Sequence, residues 1–190
     1  MVNLSSDAEL YLSFALVFHR PQPQSADNLE EFIDLWSEEL GIQTEDYQQL
    51  MDFCTKYPPG ETRVNALWEH YIPLFEVGSV DAPPYASVYL QDNAQVMGEE
   101  AFAVKDFYEA SGYGLGERPE VLPDHIAVEL EFMALLARDE KAQVLQEFRE
   151  KHLLPFLQRI LPRIRDAHKP LYSIVAILLQ NWQLKSDESR

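Results

Sequence analysis

The run Pro123-Asp124-His125-Ile126-Ala127-Val128-Glu129-Leu130-Glu131-Phe132-Met133 decides the fold class. Its start reads as a helix opening, because proline suits the first turn and an acidic side chain meets the positive end of the helix dipole. Behind it, Ile126, Val128, Leu130, Phe132, Met133, Leu135 and Leu136 surround the axis on nearly every side. A helix that is apolar all round has to be buried among other elements. This predicts a central buried helix beginning near Asp124. Helical spacing sets His125 and Glu129 one turn apart on one face. Taken alone, the polar residues at its mouth are a plain N-terminal cap.

Helical periodicity continues on both sides of that run. Leu10, Phe14, Val17 and Phe18 recur at three- and four-residue spacing until Pro21 and Pro23. Further helices are predicted over 25–40, ended by Gly41, and from Thr44 to before Pro58-Pro59-Gly60. Residues 61–77 form another, kinked or cut short by Pro73, and 97–110 the next. Beyond 124–138 the pattern gives helices over 141–153, 155–167 and 171–184. No useful stretch alternates with period two, so no sheet is expected. The fold class is all-α, about nine to ten helices in two lobes. Gly112-Tyr113-Gly114-Leu115-Gly116 is the best internal boundary, giving a lobe over 1–111, a Gly/Pro hinge over 112–123 and a lobe over 124–190.

Composition narrows the function. The 190 residues carry 15 basic and 32 acidic side chains, a net charge of −17, which disfavours nucleic acid and anionic lipid as partners and favours a basic one. The start, Met-Val-Asn-Leu-Ser-Ser, lacks a basic leader region, and the run Ile174 to Leu179 is far short of a membrane span. A cytoplasmic protein is expected. The single cysteine, Cys54, excludes an internal disulfide and reads as a small core residue rather than a nucleophile. His19, His70, His125, His152 and His168 are scattered without ligand spacing, so no metal and no cofactor are expected. The glycine tract follows a helix and precedes Glu117-Arg118-Pro119, which is the wrong context for a nucleotide loop.

A second block, Pro83-Pro84-Tyr85-Ala86-Ser87-Val88-Tyr89-Leu90, combines a proline-stiffened loop with an aromatic. Together with Tyr71-Ile72-Pro73-Leu74-Phe75, the Pro-Asp-His helix start and the late junction from Phe148 through His152-Leu153-Leu154-Pro155-Phe156-Leu157, it resembles the TorD/DmsD/NarJ family. The order, spacing and length agree over most of the chain. The resemblance implies an all-helical, cytoplasmic chaperone rather than an enzyme. It would bind the apo catalytic subunit of a molybdopterin-dependent oxidoreductase, and in many members also that subunit's twin-arginine signal peptide, delaying export until the cofactor is inserted. A NarJ-type role on the body of a membrane-anchored enzyme is the alternative. The peptide-binding residues carried over are Leu74, Phe75, Pro84, Tyr85, Gly98, Asp124 and His125, with Tyr85 where some relatives have Trp. Asp124 would offer a carboxylate to a guanidinium, and Leu74, Phe75 and Tyr85 apolar surface to the run after it. A monomer with a minor domain-swapped dimer is expected from the hinge.

Overall fold

The computed structural model describes residues 4–76, 80–92, 94–116 and 122–188. Among these residues there is no strand, and the elements are helical throughout. They are α1 (Leu4–Phe18), α2 (Pro23–Asp27), α3 (Leu29–Leu40), α4 (Thr44–Lys56), α5 (Glu61–Tyr71), α6 (Ser87–Leu90), α7 (Glu99–Ala110), α8 (Ile126–Arg138), α9 (Ala142–Phe148), α10 (Leu154–Asp166) and α11 (Pro170–Glu188). A π-helical turn, Ile72–Glu76, continues α5, and a second, Arg149–Leu153, joins α9 to α10. Ten helical runs result among the described residues, within the nine to ten that the patterning predicts. None of the described helices is long and apolar enough to cross a membrane.

The π turns sit where prolines interrupt the pattern. Pro73 lies inside the first, and Pro155 follows the second by two residues. Proline cannot donate a backbone hydrogen bond, and its ring collides with the carbonyl four residues back. Widening the turn removes that collision, and the Leu154 N–H reaches back to the Arg149 carbonyl. The predicted break between 153 and 155 is therefore a continuous helix.

The chain forms two compact units, neither of them one continuous stretch. The first comprises Met1–Phe18 and Pro84–Ile160, the second His19–Pro83 and Leu161–Arg190. In the first, α1 packs along α8, burying Leu10, Phe14, Ala15 and Phe18 from one and Ile126, Leu130 and Met133 from the other. The Phe132 ring centre lies 4.4 Å from that of Tyr108 and 4.8 Å from that of Phe148, forming an aromatic core between α7, α8 and α9. Burying each such ring stabilises the fold by about 1.5–3 kcal/mol. The start of the glycine tract is tied down. Tyr113 donates its hydroxyl to Asp139 at 2.6 Å, and Lys141 donates to the Ser111 carbonyl at 2.9 Å. Gly112 and Gly116 take φ of +89° and +62°, values that suit glycine. Residues 117–121 of the expected hinge lie outside the described residues.

In the second unit, Leu29, Phe32, Ile33 and Trp36 form the buried stripe of α3. Arg63 is wholly buried there. It donates to the carbonyls of Tyr57, Ala26 and Cys54 and, at 2.9 Å, to the Glu30 carboxylate. It thereby closes the otherwise open carbonyls around α2 and the end of α4. Tyr71, Phe75 and Tyr172 form an aromatic cluster, with centroids 4.8 Å apart for the first pair and 5.7 Å for Phe75 and Tyr172.

Candidate functional site

In the first unit, the two sequence blocks meet at the mouth of α8. The Pro84 carbonyl accepts from the Ile126 N–H and the Asp124 carbonyl from the Ala86 N–H, both at 2.9 Å, making a lone antiparallel bridge between Tyr85 and His125. The rings of these two residues meet edge to face at 5.3 Å. Each half has a reason to be extended. Pro84 restricts Pro83 before it, and His125, at φ −76° and ψ 135°, is the residue just ahead of the helix.

The caps differ from the sequence reading. Asp124 is not the cap of α8; His125 is, its Nδ1 accepting from the Ala127 N–H at 3.1 Å. The ring proton then resides on Nε2. Asp124 is fully buried and turns its Oδ2 to the Ser87 N–H at 2.8 Å, opening the short helix α6 instead. Local spacing could not reveal this, since the donor comes from the other block. Pro84 is buried and Tyr85 half-buried.

Deeper in the same place sits Glu129. It is wholly buried, and among the described residues neither carboxylate oxygen has a hydrogen-bond partner; Asp124 Oδ1 and Ser87 Oγ also lack one there. Burial, with Asp124 and then Glu100 close by, pushes the Glu129 pKa well above the usual carboxylate range. Tyr108, whose hydroxyl donates to the Pro123 carbonyl at 2.9 Å, is held well above its ordinary value by burial and then by Glu129. Glu100 is paired with His152 at 2.8 Å. Sequence reasoning noted Glu129 only as a neighbour of His125. The available signal was a carboxylate inside a helix that is apolar nearly all round.

The other expected site residues fall as follows. Gly98 precedes α7, and a side chain there would run into the amide of Gln91, which follows α6. Leu74 and Phe75 belong to the second unit, both buried in the π turn, where the Leu74 carbonyl accepts from the Ala82 N–H at 2.9 Å. The structure thus brings Pro84, Tyr85, Asp124 and His125 into one constellation. Cys54 is buried on α4, and burial raises its thiol to about 11, so it is a poor nucleophile. Among the described residues no group of His, Cys, Asp and Glu could hold a metal ion.

A family model described as the nitrate reductase delta subunit matches residues 21–161, a span that includes both halves of the bridge and all of α8. The chain belongs to that family. This is the TorD/DmsD/NarJ group that the motifs resemble. A Haemophilus influenzae protein described as a Tat proofreading chaperone, DmsD, is 27% identical over 107 residues, 54% of this chain and 52% of its own length. The chain thus spans about half the length of that relative. An Archaeoglobus fulgidus structure described as a redox enzyme maturation protein is 24% identical. It covers 90% of both chains at a TM-score of 0.62, and so shares the fold.

Proposed function

We propose that the protein is a cytoplasmic, system-specific chaperone of redox-enzyme maturation. It binds the apo catalytic subunit of a molybdopterin-dependent oxidoreductase together with that subunit's twin-arginine signal peptide, and holds back export until the cofactor is in place. The observation that carries this reading is the bridge that locks Pro84-Tyr85 onto Asp124-His125 at the mouth of a buried helix. It spends polar residues on a joint rather than on reacting groups. Family membership and the described role of the Haemophilus influenzae relative support it. Tyr85 is the aromatic of the constellation that reaches the surface, and its ring packs on His125, the neighbour of Asp124 in the chain. The net charge of −17 draws a cationic segment in. Gly98, in the same unit as Tyr85, completes the proposed peptide-binding set there, while Leu74 and Phe75, in the second unit, stay carried over from the resemblance alone.

The test is binding of a labelled peptide with two adjacent arginines followed by an apolar run. Tyr85→Ala is expected to weaken binding about tenfold or more, equivalent to about 1.4 kcal/mol, with unchanged helical content by circular dichroism. Affinity is expected to fall as salt is raised. Wild-type affinity in the variant would remove the site. A second reading, a NarJ-type chaperone acting on the body of a membrane-anchored enzyme, is favoured by one observation: Asp124 is closed off from solvent. A client catalytic subunit that is captured equally well with and without its signal segment would select this reading.

A further inference from the structure

Among the described residues, four polar atoms at the mouth of α8 are buried without a hydrogen-bond partner: Asp124 Oδ1, Glu129 Oε1 and Oε2, and Ser87 Oγ. The surrounding groups are committed elsewhere. His152 is held by Glu100, the Tyr108 hydroxyl by the Pro123 carbonyl, and His125 Nδ1 by the Ala127 N–H. Arg149, buried in the π turn that packs on α8, makes no hydrogen bond to Glu129. An ionised Glu129 here is an unpaired buried charge. A neutral one is a buried carboxyl with nothing to bond. A planar cation with several donors in a fixed fork matches two neighbouring carboxyl groups of this kind.

We infer that Glu129 and Asp124 together form a buried receptor for one arginine side chain of the client, entered when the Pro84-Tyr85 loop lifts away from His125. The inference rests on the peptide-binding reading above and adds to it a residue, Glu129, and a mode of entry. The loop is joined to the mouth of α8 by two bridge hydrogen bonds, the Asp124–Ser87 bond and the Tyr85–His125 ring contact, none of which is a hydrogen bond within α8 itself. In the closed protein, burial, and then Asp124 and Glu100, favour the protonated form of Glu129. The guanidinium takes the proton's place, and the proton leaves to solvent. Ligand binding that lowers the proton affinity of a group must strengthen as pH rises. Peptide affinity therefore increases with pH until Glu129 ionises in the free protein. The charged and titratable groups on the elements around it include Asp124, Glu100 with its partner His152, Tyr108, His125 and, from the π turn packed on α8, Arg149.

The experiment is calorimetric titration of the wild-type protein with the double-arginine peptide at one pH in phosphate and in imidazole. These buffers differ in ionisation enthalpy, so the difference in heat counts protons released. A second peptide carries citrulline, the uncharged analogue, in place of both arginines. Release of about one proton per peptide is expected, with binding at least tenfold weaker and no release for the citrulline peptide. Glu129→Gln, an uncharged isostere, is expected to bind the arginine peptide at least tenfold more weakly and to release no proton. Equal heats in both buffers, or wild-type affinity in Glu129→Gln, overturn the inference while peptide binding itself stands. No binding of the arginine peptide to the wild type overturns the inference and the reading beneath it together.

Discussion

Two buried charged residues show how differently a fold can treat a polar side chain. Arg63 is wholly buried yet has a partner on each side: three carbonyls and the carboxylate of Glu30. Glu129 is equally buried and has none among the described residues. The first closes helix ends and is explained by folding alone, whereas the second works against folding once it is charged. The sign follows from linkage. Burial and neighbouring carboxylates raise the folded-state pKa of Glu129 above its unfolded value. Its contribution to stability is thus fully present below the ordinary carboxylate range and is lost as pH rises towards the folded value. Each pH unit in that window should remove about 1.4 kcal/mol. Urea unfolding of the wild type between pH 5 and 8 is expected to show this decline, and Glu129→Gln a shallower one. Parallel curves would mean that Glu129 is ionised in both states.

At the scale of elements, the π turns record a choice between backbone regularity and packing. A π turn holds one residue more than the α pattern needs, and one residue is worth about 100° of helix rotation. Returning Arg149–Leu153 to the α pattern without removing a residue would swing Phe156 and Leu157 out of the core, at about 1.5–3 kcal/mol each. Removing the exposed Lys151 together with Pro155→Ala should instead leave both faces in register. This variant is expected to fold, with a melting temperature near that of the wild type. Removing the exposed Lys105 from the regular helix α7 turns Tyr108 away from Phe132 and is expected to melt far lower. Equal losses in both would show that the turn is not a spare residue. The sequence pattern could place Pro73 and Pro155 as interruptions, because a missing donor is a local property. It could not show that the helix continues, because the remedy depends on which faces are buried on either side.

Across the whole molecule, the helical class and the identity of the buried helix were legible, since the apolar surround from Ile126 to Leu136 has no other reading. The Asp124–Ser87 bond was not, because its partners lie 37 residues apart and neither needs the other locally. The two compact units were not legible either: glycines mark where a chain can turn, not which distant helices share a core. For the expected exchange about residues 112–123, the packing of α1 on α8 sets the rate, since α8 must leave one α1 before it finds another. The protein is expected to be a monomer when dilute, with a minor dimer. Light scattering on the isolated dimer after dilution should show decay over hours; immediate re-equilibration would mean ordinary surface association instead. The same pairing has a consequence during synthesis. α1 leaves the ribosome more than a hundred residues ahead of its partner, with Leu10, Phe14 and Phe18 uncovered until the helix that begins at Ile126 has been made. Over that interval the nascent chain carries a sticky helix without its partner, and a protein proposed to shelter unfinished enzymes must itself be sheltered, or be made quickly, until the two meet.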